Sequence, residues 1–152
     1  MQYFFFILFI TLFSACSTKE FQHNNSKIII IKSPKIKFSD LGFIRHSGND
    51  MEIELFIAGK AVQNISINHL ICVDNGCMSK SGFNKEYLNA NYPDTLLQNV
   101  FLAKPIFHQK NKQLTQDGFT QKIQSITYKV TKKSVFFKDT KNHIIIKIKD
   151  TQ

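Results

Sequence analysis

Apolar side chains occupy every second position over residues 51–57 (Met51, Ile53, Leu55, Ile57), with Glu52 and Glu54 between them. Only an extended chain puts alternate residues on one face, so this segment is predicted to be a strand with one buried and one wet side. The same grammar recurs at both ends of the chain. Residues 28–31 are four isoleucines between lysines, and Ile36 and Phe38 alternate with Lys35 and Lys37. Further on, Ile126, Tyr128 and Val130, then Val135 to Phe137, then Ile144, Ile146 and Ile148 predict three more strands joined by connectors short enough for a meander. Ala58-Gly59-Lys60-Ala61 is turn chemistry that would return residues 62–67 as a hairpin partner. Phe119 and Ile123 share a parity that Ile126 and Tyr128 break, which predicts a bulge or strand break near Gln124-Ser125.

One stretch is helical in pattern. Asn91 is a capping residue type, Pro93 suits a first turn, and Leu96, Leu97, Val100 and Phe101 then fall on one face before Pro105 ends it. A shorter helical turn is predicted over residues 84–88. The expected fold is α+β and β-rich: a single domain, mainly an antiparallel sheet arranged as a sandwich or half-barrel, with one packed helix near 93–102. The 152 residues suit one domain, and 43% hydrophobic with 20% charged content excludes a disordered chain.

The first fifteen residues carry no charged side chain, and ten of them, residues 4–13, are an almost unbroken apolar run. A permanent spanning helix needs roughly 20 such residues, so the run has the length of a signal-peptide core instead. Ser14 and Ala15 follow, then Cys16. Phe13-Ser14-Ala15-Cys16 resembles the lipobox of bacterial lipoproteins, where small residues precede a Cys that becomes acylated at its thiol and, after cleavage, at its amine. That resemblance implies a signal peptide over residues 1–15, lipidation (palmitate among the acyl groups) at Cys16, and a membrane partner reached through the acylated Cys16. Ser17, rather than Asp, implies the outer membrane, with the domain on the periplasmic or surface side. Residues 16–27 then read as the lipidated Cys and a polar tether, and residues 28–152 as the β-rich domain.

Cys72 and Cys77 flank Asn75-Gly76, a strong hairpin signal. Such a turn brings the two cysteines together, and export implies an oxidising compartment, so a Cys72–Cys77 disulfide is expected. Two other readings of the segment stand beside it. His69, Cys72 and Cys77 are three potential metal ligands, though no second cluster completes a site. A redox-active dithiol is the other, although its usual spacing is Cys-x-x-Cys.

No nucleophile elbow, zinc-protease, phosphate-loop or dinucleotide motif occurs, and the five histidines (His23, His46, His69, His108, His143) share no ligand or triad spacing. Neither an enzyme, nor a cofactor, nor a bound metal is expected. The net charge of +9 is uneven: residues 91–152 hold eleven basic against four acidic side chains, residues 16–90 nine against seven. All but Arg45 of the basic residues are lysines, which disfavours nucleic acid, where Arg reads phosphates and bases bidentately. Anionic lipid and an envelope protein are the partners this composition fits.

The segment Tyr92-Pro93-Asp94-Thr95-Leu96-Leu97, with Phe119-x-Gln121, Ile126-Thr127-Tyr128 and two closing strands, is similar to the last third of the outer-membrane lipoprotein-localisation receptors. Those fold as a curved antiparallel half-barrel whose apolar hollow, closed by helices, holds acyl chains. The functional expectation is therefore an envelope lipoprotein with a non-enzymatic binding or structural role. The alternative is a lipid- or lipoprotein-handling protein with an apolar cavity behind Leu97 and Phe101.

Overall fold

The computed structural model describes residues 23–74 and 76–151. The proposed signal segment, Cys16 and the first part of the tether lie outside the described residues.

The described residues open with six strands: β1 (His23–Lys32), β2 (Lys37–Ser47), β3 (Asp50–Ile57), β4 (Lys60–Ile67), β5 (Leu70–Val73) and β6 (Gly76–Ser79). Two helices follow, α1 (Lys80–Tyr87) and α2 (Leu96–Phe101). The chain then returns through β7 (Lys112–Thr115), β8 (Gly118–Ile123), β9 (Ile126–Thr131), β10 (Ser134–Asp139) and β11 (Ile144–Asp150). All eleven strands belong to one antiparallel sheet in the order β6-β5-β4-β3-β2-β1-β11-β10-β9-β8-β7. Each half is a simple meander, and the two are sewn together by the pairing of β1 with β11.

That seam overturns the sandwich. Two meanders joined edge to edge make one continuous open sheet, so among the described residues no second sheet stacks upon the first. The apolar face that a sandwich would bury is covered instead by the segment that joins the two halves. Ile29, Ile53, Leu55, Tyr128, Phe137, Ile144 and Ile146 project from the sheet and are fully buried. Phe83, Leu96, Val100 and Ile106 meet them from the cover at 0–1% exposure. Burying apolar surface at about 25 cal/mol per Å² is the main driving term for this arrangement.

Local details follow from chain chemistry. The β3–β4 turn places Ala58 and Gly59 at φ of 50° and 79°, the left-handed conformation a two-residue hairpin demands. The expected break at Gln124-Ser125 is such a hairpin turn rather than a bulge: Ile123 pairs with Ile126, and Gln124 takes φ 51°. Gly118 starts β8 where the Val130 carbonyl oxygen would lie 2.1 Å from any added Cβ. Only glycine lets the two strands approach that closely.

Three boundaries differ from expectation. β1 begins at His23, inside the stretch 16–27 expected to be tether, because Ser26 and Lys27 find backbone partners in Phe43 and Gly42 of β2. α2 starts at Leu96, not at Pro93; Asn91 caps nothing, and Leu96 donates to the Pro93 carbonyl in a turn that precedes the helix. The first helix spans residues 80–87 rather than 84–88, since Ser79 accepts from the Gly82 amide and caps it earlier.

The disulfide between Cys72 and Cys77 is present, on a hairpin closed one residue earlier than the Asn75-Gly76 pair suggests. Val73 pairs with Gly76 and Asp74 takes φ 52°, so Cys72 and Cys77 become direct cross-strand partners. Its loop is short, and chain entropy gives it only about 2 kcal/mol. It acts locally, holding edge strand β6 onto β5.

Candidate functional site

The helical cover does not seal the whole apolar face. Where α2 ends, Phe101, Leu102 and Ala103 stop short of the turn joining β9 to β10, leaving a cleft of about 180 Å³. Ile44 of β2, Val135 of β10 and Ile148 of β11 complete its apolar floor. Its rim is of opposite character, with Lys27, His46, Lys132 and Lys133 around the opening. Asp150 is the one carboxylate there, and Lys27 forms an ion pair with it.

The two candidate cavity residues are separated by one helical turn. Phe101 lines this cleft, while Leu97, 3% exposed, is packed inside the core and is not part of its lining. On the far side of α2 lies a wider polar groove of about 550 Å³, bordered by His69, Lys80 and Gln98. There Lys80 donates to Gln98 Oε1 at 2.9 Å and Gln98 donates to the Asn49 carbonyl at 2.7 Å.

The cover is fastened mainly to the C-terminal half of the sheet. Gln121, fully buried on β8, donates to the carbonyls of Ile106 and Lys110 and accepts from the Ile106 amide, at 2.7–2.9 Å. Tyr128 donates to the Lys104 carbonyl at 3.0 Å. Tyr92 donates to Asp139 Oδ2 at 2.5 Å, and Ser125 and Asn142 donate to the same carboxylate. Between these ties, Phe107, His108 and Gln109 all take positive φ (46°, 52° and 64°). Such conformations are unfavourable for residues with a side chain, by about 1–2 kcal/mol each. The Gln121 bonds on either side hold the segment in that shape.

Gln121 belongs to the receptor-like segment noted in the sequence, but its role as a fastener was not read there. Its signal was there: a polar side chain at the buried parity of a strand, between Phe119 and Ile123. A buried amide must satisfy its hydrogen bonds, and here it does so by gripping a loop backbone.

Asp139 is the titratable group with structural consequence. Burial alone would raise its pKa, but hydrogen bonds from Tyr92, Asn142 and Ser125 outweigh that and hold it at about 2. Burial, reinforced by the bond to Asp139, pushes the Tyr92 phenol far above its usual range. Burial alone does the same to Tyr128. A carboxylate whose folded pKa is depressed stabilises the fold above its unfolded value of 3.8, and this stability is lost as pH falls toward 2. The shift corresponds to about 2 kcal/mol. Acid titration of stability, followed by circular dichroism in denaturant, should show that loss between these limits. Asp139→Asn should flatten it.

Both thiolates of the possible metal set are consumed by the disulfide, so neither the metal nor the free dithiol reading applies to this form. Among the described residues no group of three or more His, Cys, Asp or Glu side chains is placed to hold a metal. Among them, too, no helix is long and apolar enough to cross a membrane. No family of known proteins, no curated protein and no solved structure matches the chain.

Proposed function

We propose that this chain is an envelope lipoprotein, exported and held to the outer membrane by an acylated Cys16, that binds a ligand and catalyses nothing. Its ligand is an amphiphile with an acyl chain and an anionic head. The observation that carries this reading is the cleft beside Phe101: an apolar floor continuous with the core, ringed by Lys27, Lys132 and Lys133. Acyl methylenes gain by leaving water onto such a floor, and a headgroup phosphate or carboxylate meets the lysines at the rim. The single open sheet is here a half-barrel and the segment 80–110 its lid. In this state the hollow is nearly filled, since 180 Å³ is smaller than the roughly 300–1,000 Å³ of ordinary ligand pockets. Admitting a long chain requires the end of α2 to lift, which breaks the Tyr128 bond to the Lys104 carbonyl.

Native mass spectrometry of the protein extracted from envelopes in mild detergent tests both parts. The expected result is a diacylated or triacylated N-terminal Cys16 together with a non-covalent acyl species. Lys132→Glu with Lys133→Glu should lose the second and keep the first. A protein that carries its anchor yet never holds or takes up a fluorescent fatty acyl probe would overturn the ligand assignment. An unmodified Cys16 would overturn the anchor.

One observation favours a second reading, a protein-docking module. Leu114 is 80% exposed on edge strand β7, and Ile57 and Val62 are about half exposed beside the β3–β4 turn. Crosslinking in intact envelopes separates the readings, because a docking module yields a reproducible partner at these positions whether or not acyl species are bound.

A further inference from the structure

The face of the sheet turned away from the helical cover is divided by charge. Over β2 to β5 it carries both signs: Arg45 pairs with Glu54 at 2.7 Å, and the Glu52 carboxylate accepts from the neutral Asn64 amide at 2.7 Å. Over β8 to β11 they are all positive. Lys122, Lys129, Lys138, Lys147 and Lys149 alternate with buried residues along their strands and therefore project from this open face. No acidic side chain of β8 to β11 joins them, because Asp139 is buried on the covered face and Asp150 borders the cleft. Strand register then interleaves the lysines with apolar groups. Lys129 and Lys147 flank Phe136 on neighbouring strands, Lys138 faces Ile145, and Lys149 faces Ile28, which is 40% exposed. Lys147 Nζ lies 5.4 Å above the Phe136 ring.

We infer that this lysine half of the open face docks on an anionic phospholipid bilayer, the one that holds the chain's own anchor. A lattice of lysines with apolar side chains between them matches headgroup phosphates with acyl surface just beneath. Length supports the same occupant. Cys16 precedes the start of β1 by seven residues, at most about 25 Å of extended chain. β1 runs beside β11, whose lysines belong to the patch. An anchor that short keeps the patch within reach of the surface, where docking brings it inside the roughly 8 Å over which the potential of anionic lipid decays. This inference rests on the lipoprotein reading for its anchor, but the docking face is testable without it.

The full-length protein is reconstituted into vesicles of equal parts phosphatidylglycerol and phosphatidylcholine, or of phosphatidylcholine alone. It is then labelled with a water-soluble amine reagent, and each lysine is quantified by peptide mass spectrometry. In anionic vesicles the labelling of Lys129, Lys138 and Lys147 should slow about fivefold, the factor one lysine gains near such a surface. Lys85 and Lys104, exposed on the cover, should stay unchanged, and high salt should abolish the difference. A triple Lys→Gln variant at these positions should lose the extra protection of neighbouring Lys122 and Lys149, and the triple Lys→Arg variant should keep it.

Equal labelling in both vesicle types would overturn the inference, as would protection of Lys132 and Lys133 in place of the sheet lysines. Equal protection by a dissolved polyanion such as heparin, without vesicles, would overturn the choice of a bilayer. Protein that washes off in high salt after showing the low-salt protection refutes the anchor and supports the docking face.

Discussion

Replacing Phe137 by Ala should destabilise the protein by about 3–5 kcal/mol, the range for deleting a fully buried aromatic ring. Phe137 is 0% exposed at the middle of β10. Its ring stands edge-on to Tyr92 of the cover at 6.0 Å and to Tyr128 of β9 at 6.4 Å. The side chain thus joins two layers, and its loss opens a hole beneath the Tyr92–Asp139 bond. Two-state unfolding in urea checks this: the midpoint should fall, and Phe137→Leu should recover much of the difference. A loss below 1 kcal/mol would show that the cover does not pack on β10 as described.

Gln121→Leu should have the next largest effect, about 3 kcal/mol. The substitution keeps apolar volume yet strips partners from the Ile106 amide, the Ile106 carbonyl and the Lys110 carbonyl. Each buried backbone group left unsatisfied costs about 1–3 kcal/mol, offset partly by better burial of Leu. The more telling readout is local. Amide exchange should accelerate across residues 104–111, where three successive left-handed residues then lose the bonds holding them. If exchange there stays unchanged while global stability falls, Gln121 is a core residue and not a fastener of the lid.

Much of the sheet was legible because its strands bury one face. The 51–57 alternation becomes β3, with Met51, Ile53 and Leu55 inside and Glu52 and Glu54 outside. The C-terminal strands follow the same rule, and the cysteine pair was readable because a tight turn dictates cross-strand neighbours. What stayed hidden had no local signature. The first residues of β1 read His23-Asn24-Asn25-Ser26 and show no apolar period. They are extended because β2 supplies hydrogen-bonding partners across a turn. β7 is exposed at every residue and is a strand only by its pairing with β8. The sandwich was a natural error, since alternation says which face is buried but not what buries it. Of the cleft only Phe101 was expected, for a related reason: Lys27, Ile44, Phe101, Val135 and Ile148 come from five separate elements, and no spacing links them.

The central seam has a consequence for the history of the molecule as it is made. β1 is the first described strand to emerge from synthesis and β11 the last, with Lys27 and Asp150 separated by 123 positions. Until β11 arrives, the first meander carries the bare edge of a ten-residue strand rich in isoleucine, an invitation to any other extended chain. Closing so long a loop is slow relative to hairpin formation. The vulnerable interval is therefore a matter of rate, and the speed with which the last strand finds the first governs how much chain escapes aggregation.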